Sequence, residues 1–203
     1  MIGIPWRVAF ALQADGWYLR QDIIWHKPNP MPESVRDRCT KAHEYLFLFA
    51  KSKRYYFDSA AMQEPAVEPR GPGNKRGYLV DGQRGGENAN LGGSLHKIGP
   101  RETRNKRSVW TVATKPFKGA HFATFPVDLI EPCVLAGTRP GDLVLDPFGG
   151  AGTTAIAAQK HGRRAVLCEL SADYVALADE RIAKAAKAFA SSPQGMLFER
   201  AAA

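Results

Sequence analysis

Cysteine is scarce in this sequence, and no two cysteines form a C-x-x-C pair. Cys39, Cys133 and Cys168 are widely separated, so the sequence predicts reduced thiols, no zinc site and no other bound metal. Apolar runs long enough to span a bilayer are also lacking. The first residues, MIGIPWRVAF, do not have the long apolar stretch of a secretion signal. These absences predict a cytoplasmic protein.

Acidic residues are too few to balance the basic ones. The chain has 28 Lys and Arg against 20 Asp and Glu, which gives a net charge of +8. This excess favours a polyanionic partner, nucleic acid before membrane, although a merely basic protein has the same composition. Eleven Lys and Arg against five Asp and Glu lie between 64 and 118. This Gly- and Pro-rich stretch is either a solvated insertion or an arm that lies along phosphates.

The patterning divides the chain into four segments. Residues 1–63 combine a predicted helix, PWRVAFALQADG, with two predicted strands, WYLRQDIIWHK and EYLFLFAKS. Residues 64–118 are the basic insertion, and residues 191–203 are a flexible tail. Residues 119–190 alternate helix and strand, beginning with a helix that Pro132 should kink or break. The βαβα order predicts an α/β protein with a doubly wound, mostly parallel sheet.

A glycine-rich turn, DPFGGAGTT, follows a predicted strand and opens a predicted helix, the context expected of a cofactor loop. Its glycines fit neither G-x-G-x-x-G nor a phosphate loop ending in G-K-[ST], which argues against nicotinamide and ATP. Glu169 ends the next strand, 20 positions after Gly149, where doubly wound folds place an acid that binds ribose hydroxyls. An acid, Pro and Phe before small residues is common in S-adenosylmethionine pockets. The alternative is a purely structural strand-to-helix turn.

Several motifs, in order, resemble the amino-methylating DNA methyltransferases in their β-type permutation, in which the target-base half comes first. The motifs are DIIWHKPNPMPESVRDRCTKAHEYLFLFAKS, VWTVATKPFKGAHFATFPVDLIEPCVLAG, DPFGGAGTT and CELSADYVALADERI. The resemblance covers most of the chain outside about 64–108. It implies methyl transfer from S-adenosylmethionine to cytosine N4 or adenine N6 of double-stranded DNA, in a restriction–modification or phage system. A nicotinamide oxidoreductase is disfavoured, and RNA as substrate is disfavoured by the resemblance alone.

The resemblance also implies roles for individual residues. Asp146 would orient a ligand ammonium or a water, Phe148 would pack on the adenine or methionyl portion, and Glu169 would bind the ribose. The implied cofactor-binding set is His121, Thr124, Phe125, Asp146, Phe148, Gly149, Gly150, Gly152, Thr153 and Glu169. The implied target-base or DNA set is Trp25, Lys27, Asn29, Arg36, Arg38 and Lys41.

Several of these assignments have a purely structural alternative. Trp25 alone is equally expected in a core, and the basic residues are equally expected on a solvated face. His43 and Glu44 are predicted to form a structural hydrogen-bonded pair, and Asp128 is predicted to support the entry of a helix. In the tail, Gln194–Phe198 (QGMLF) resembles the Q-x-x-L-F peptides that dock on sliding clamps, although a tail that packs back on the domain is also expected.

The family's (D/N/S)-P-P-(Y/F/W) motif does not occur in these residues, since no Pro-Pro pair is present. In the family that motif binds the amine of an extruded base, and it precedes the stretch that begins GIPWRVAF. The catalytic residues are therefore unknown, and the sheet is expected to be incomplete at its N-terminal side. We expect weak or absent methyl transfer by this chain alone. The alternatives are a noncatalytic remnant and one part of a split enzyme with an upstream-encoded fragment.

Overall fold

A computed structural model of the chain describes residues 2–66, 102–115 and 124–191. The chain divides into two units, residues 1–61 with 107–203 and residues 62–106. The expected insertion at 64–118 therefore spans the boundary, because its residues 107–115 belong to the first unit. Most of that insertion, His121 and the Gln194–Phe198 motif lie outside the described residues. Within the described residues, no helix is long and apolar enough to cross a membrane.

The first unit opens with a helix and a three-stranded sheet. Helix α1 (Ile4–Ala14) has Pro5 in its first turn, where a missing N–H leaves no bond unmade. Strands β1 (Tyr18–His26) and β2 (His43–Ala50) pair antiparallel, with a register shift between Leu19 and Gln21. A short strand, Val109–Thr111, pairs parallel with the other edge of β1. This strand is β5, since strands β3 (Gln63–Pro65) and β4 (Thr103–Asn105) of the second unit precede it in the chain.

Aromatic side chains fix α1 on this sheet. The Trp6 ring meets the rings of Tyr45 and Phe47 edge-on, at centroid distances of 5.6 and 4.9 Å. Trp25 and Trp110 pair on β1 and β5 and are both buried on the other face of the sheet, because Trp25 is adjacent to Ile24, the partner of Tyr45. Large aromatic surfaces are thus removed from water on both faces of the sheet, which stabilises it. Packing thus explains why these strands are rich in aromatic and β-branched residues.

The C-terminal part of the first unit alternates helix and strand. Helix α2 (Val127–Gly137) leads to β6 (Leu143–Asp146), α3 (Thr153–Lys160), β7 (Arg164–Leu167) and α4 (Ala172–Ala190). Strands β6 and β7 are parallel, joined through α3. Helix α3 contacts both strands as well as α2 and α4. Its fully buried Ala157 and Ala158 allow this close approach of four elements.

The expectation of a mostly parallel sheet is wrong for the strands that the structure describes, which form both parallel and antiparallel pairs. In the second unit, β3 (Gln63–Pro65) and β4 (Thr103–Asn105) pair antiparallel and are linked by an ion pair between Arg104 and Glu64 at 2.8 Å. The β1–β2 pair is antiparallel because a parallel crossover normally needs a helix. The linking residues 27–42 include three prolines and contain no helix.

Helix α2 runs through Pro132, so the predicted break does not occur. Pro132 is the sixth of the eleven residues of this helix, and its missing N–H removes one bond, that to the carbonyl of Asp128. On the same helix, burial raises the pKa of Cys133 to about 11, which keeps the thiol neutral.

A charged cluster joins α2 to the end of α3. Glu131 Oε1 accepts hydrogen bonds from Lys160 Nζ at 2.8 Å and from His161 Nε2 at 2.5 Å. Burial alone would raise the pKa of Glu131, but the bonds from Lys160 and His161 hold it below its ordinary value of 4.5.

Replacing Glu131 with Gln is expected to lower the free energy of unfolding by about 1 kcal/mol at neutral pH. A carboxyl whose pKa is lowered by folding stabilises the protein above its unfolded pKa, and this stabilisation is lost as the pH falls through the folded value. The difference between wild type and E131Q should therefore shrink below pH 4.5. Urea unfolding at several pH values measures it, and a difference that stays constant down to about pH 3 would contradict the ion-pair explanation.

Candidate functional site

Asp146 lies at the carboxyl end of β6 and organises the glycine-rich turn that follows. Its Oδ1 accepts the backbone N–H of Phe148 at 3.0 Å, and its Oδ2 accepts the hydroxyl of Thr154 at 2.6 Å. The carbonyl of Asp146 also accepts the backbone N–H of Cys168, which follows β7. The carboxylate thus joins the end of the strand to the first turn of α3. Each carboxylate oxygen has a further lone pair available for a ligand.

Glu169 holds the same turn from the neighbouring strand. Its Oε2 accepts the backbone N–H of Gly150 at 2.8 Å, and its Oε1 accepts the backbone N–H of Ser171 at 2.9 Å. Ser171 in turn caps α4, where its hydroxyl accepts the N–H of Tyr174. Two carboxylates at the carboxyl ends of adjacent parallel strands therefore flank the glycines. This is the edge at which doubly wound folds bind ligands.

Two glycines are required for steric reasons. A Cβ on Gly149 would lie 2.8 Å from the Cβ of Leu167, so the turn lies directly on β7. Gly152 has a φ of 76°, and a Cβ there would lie 3.1 Å from both Ala178 and Ile182 on α4. Gly152 is also the N-cap of α3, so the positive end of that helix points out of the turn.

Exposed apolar side chains lie beside both carboxylates. Phe148, which follows Asp146 and Pro147, is 86% exposed, and Leu170, which follows Glu169, is completely exposed. Large apolar side chains directed into water beside a polar turn are typical of a ligand site. Together with the turn they offer hydrogen-bond donors, acceptors and apolar surface to one small molecule.

The predicted target-base residues on β1 and beyond make internal contacts. Trp25 is buried, and its Nε1 donates to the carbonyl of Val112 at 2.7 Å. Lys27 forms an ion pair with Glu44 and lies 4.3 Å from the centre of the Trp25 ring. The amide of Asn29 bonds both backbone groups of Thr114, at 3.0 and 3.2 Å. These contacts join the Pro-rich loop to the chain after β5.

The other polar predictions have mixed outcomes. Arg36, Arg38 and Lys41 are exposed, and Arg38 is paired with Glu33 at 3.1 Å and Asp37 at 3.7 Å. The predicted His43–Glu44 pair is wrong, because Glu44 instead pairs with Lys27 while the His43 ring lies edge-on to Tyr45. Adjacent residues of a strand point to opposite faces, which explains this separation. Asp128, in the first turn of α2, binds Lys115.

Comparison with known proteins places the chain in a family. The family of N6/N4 enzymes described as "DNA methylase" matches residues 2–180. The chain belongs to this DNA methylase family. It is 50% identical over 182 residues to the Type II methyltransferase M.XycI of Xanthomonas campestris pv. cyanopsidis, covering 90% of this chain and 50% of that protein. The chain spans about half the length of M.XycI and of two other Type II methyltransferases to which it is similar, M.Cfr9I and M.SmaI.

Solved structures support an α/β methyltransferase fold for this DNA methylase chain. The PvuII cytosine-N4-specific DNA methyltransferase matches with a TM-score of 0.59 at 20% identity, over 93% of this chain and 66% of that one. TTHA0409 of Thermus thermophilus, in complex with S-adenosyl-L-methionine, matches with a TM-score of 0.53 at 26% identity, over 91% of this chain and 61% of that one. The predicted family and the α/β fold class are confirmed.

The structure brings part of the DNA methylase's predicted cofactor set together around the turn. Asp146 accepts the N–H of Phe148, Glu169 accepts the N–H of Gly150, and Thr153 is buried in the first turn of α3. Thr124 and Phe125 lie half-buried just before α2. His121 is outside the described residues.

Sequence reasoning missed four residues that hold or border the turn, Thr154, Ser171, Leu170 and Arg181. A signal existed for the first three, because a hydroxyl followed each acidic strand end and Leu170 is an apolar residue directly after an acid. No local signal marked Arg181, whose guanidinium donates to the carbonyl of Ala151 from the middle of α4.

Proposed function

We propose that the turn between β6 and α3 binds S-adenosylmethionine and that the chain serves methyl transfer to an exocyclic amine of DNA, cytosine N4 or adenine N6. The observation that carries the proposal is the pair of carboxylates, Asp146 and Glu169, that grip one glycine turn from adjacent strand ends. TTHA0409, which has the same fold, was solved with this cofactor. The relatives named Type II methyltransferases support DNA as substrate and a restriction–modification setting.

The residues present fit this cofactor. The N–H groups of the first turn of α3, which has no side-chain cap, suit its carboxylate, and the remaining lone pairs of Asp146 suit its ammonium. Glu169 retains lone pairs for ribose hydroxyls, and the exposed Phe148 and Leu170 offer apolar surface to the adenine. When bound, the cofactor supplies a methyl group made electrophilic by a positive sulfur. The protein's part is to hold that group in line with the acceptor and to exclude water.

Contacts to DNA are assigned to the exposed basic side chains. Arg36, Arg38 and Lys41 follow the Pro-rich loop after β1, and the basic stretch within 64–118 is the candidate region for recognition of the target sequence. Lys and Arg contacts to phosphates position the duplex but carry no sequence information. Trp25, Lys27 and Asn29 are proposed to shape the target side indirectly, since each is engaged inside the protein.

Calorimetric titration of the 203-residue chain with S-adenosylmethionine, followed by an assay of labelled methyl transfer to mixed-sequence DNA, tests the proposal. We expect saturable binding of the cofactor and little or no transfer by these residues alone, because no Pro-Pro motif is present to bind the amine. Absence of binding by a folded chain would refute the cofactor site. Robust incorporation would refute the expected inactivity and would assign catalysis to residues within this chain.

A noncatalytic remnant or one part of a split methyltransferase is the second candidate, and one feature favours the split form. Leu143, Leu145 and Val166 leave one face of the β6–β7 pair exposed, although parallel sheets are normally covered on both faces. We propose that the remaining part of a methyltransferase domain, from the same or another polypeptide, covers this face.

Adding the part of M.XycI that lies outside the matched region is expected to restore transfer, and L145K is expected to prevent this rescue without affecting cofactor binding. Rescue that is equally good with L145K would contradict the assigned face. A remnant would show binding without rescue. Two further proposals rest on sequence alone. One is a cytoplasmic location. The other is docking of Gln194–Phe198 on a sliding clamp, and a pull-down that compares the wild type with F198A tests it.

A further inference from the structure

One face of α4 lies directly against the glycine turn. Ala178, Arg181 and Ile182 share this face because they are three and four residues apart. Ala178 and Ile182 lie where a Cβ on Gly152 would touch them, at 3.1 Å. Arg181 Nη1 donates to the carbonyl of Ala151, the residue before Gly152. The guanidinium of Arg181, which comes from the middle of α4, therefore reaches the backbone of the glycine turn.

Two opposite charges hold two peptide groups of the turn that are separated by one peptide group. The carboxylate of Glu169 accepts the N–H of Gly150, and the guanidinium of Arg181 donates to the carbonyl of Ala151. The N–H of the Ala151–Gly152 peptide donates to the carbonyl of Gly149 at 2.8 Å, so that peptide is held at both ends. Burial lowers the pKa of Arg181, but a guanidinium remains charged at any pH compatible with the fold.

We propose that Arg181 is a positioning residue for the cofactor site, acting through the carbonyl of Ala151. Resting on the proposed function, this inference gives the Ala151–Gly152 peptide one fixed orientation beside the bound cofactor. Glycine-rich segments have access to many backbone conformations, so a fixed turn binds with less loss of entropy than a free one. Without the guanidinium, the Ala151–Gly152 peptide is expected to populate several orientations in the absence of cofactor.

The test is calorimetric titration of S-adenosylmethionine and S-adenosylhomocysteine into the 203-residue chain and three variants, R181M, R181K and K184M. We expect R181M to bind both compounds about tenfold more weakly, and R181K to recover most of this loss because an ammonium also donates to a carbonyl. Lys184 is exposed on the same helix, and K184M should bind as the wild type does. The double variant R181M/E169Q should lose less binding free energy than the sum of the losses in R181M and E169Q, since both side chains hold one turn.

A purely structural role for Arg181 predicts a different pattern. R181M would then melt at a lower temperature while binding both compounds with unchanged affinity well below its melting temperature, and that result would overturn the proposal. Equal losses in R181M and R181K would also contradict it. A folded wild-type chain that does not bind S-adenosylmethionine would refute the proposed function and this inference together, whereas normal binding by R181M refutes the inference alone.

Discussion

Replacing Asp146 with alanine is expected to weaken the binding of S-adenosylmethionine by at least about a hundredfold. The carboxylate accepts the N–H of Phe148 and the hydroxyl of Thr154, and both bonds disappear in the variant. A hydrogen bond to a charged group is worth about 1.5–3 kcal/mol, so the turn loses its anchor to β6. The ligand's ammonium would lose its proposed acceptor as well. Calorimetric titration of D146A measures the change.

Asp142 provides a matched control for this experiment. It immediately precedes β6, at the end of the strand opposite to Asp146, and its Oδ2 accepts the backbone N–H of Arg139 at 2.8 Å. D142A therefore removes a similar carboxylate–backbone bond and should lower the melting temperature slightly without changing affinity for the cofactor. If D142A and D146A weaken binding equally, general loosening of β6 explains the effect and Asp146 has no special role.

The sequence predicted most elements of the fold because their periodicity was unambiguous. Strands β1 and β2 are rich in aromatic and β-branched residues, and α4 has a clear amphipathic pattern that begins after the N-cap Ser171. The mixed pairing was not predictable from these patterns, since strand direction depends on what the linking residues can form. Pro132 misled the prediction for a different reason, because a proline inside a helix removes only one backbone bond and the packed helix α2 continues through it.

The candidate site was predictable to the extent that it is local. The spacing between Gly149 and Glu169 reflects one strand–helix–strand unit, so an acid at its end must lie beside the turn. Contacts made across packed helices, such as that of Arg181 with Ala151, depend on how α4 lies on the turn, and residue spacing does not specify this. For Trp25 and Asn29, family motifs predict a place beside the target base, and that stays a prediction; the hydrogen bonds by which both side chains join two segments were not predictable from residue spacing.

Replacing Gly149 with alanine is expected to destabilise the protein by about 2–3 kcal/mol. A Cβ at this position would lie 2.8 Å from the Cβ of Leu167, and neither atom can move by a change of rotamer. Either the turn or β7 must therefore shift, and the first option also displaces the peptide groups held by Asp146 and Glu169. For a chain of this length, the melting temperature should fall by about 5–10 °C, which calorimetry or circular dichroism measures.

Gly137 supplies the control for this steric argument. It ends α2, no atom lies within 4 Å of a Cβ built there, and its backbone is not in the left-handed region. G137A should therefore change stability by no more than about 0.5 kcal/mol, and the reduced freedom of the unfolded chain favours a slight gain. A G149A protein as stable as G137A would show that the turn does not lie on β7, and the assignment of this turn as a rigid cofactor loop would fail with it.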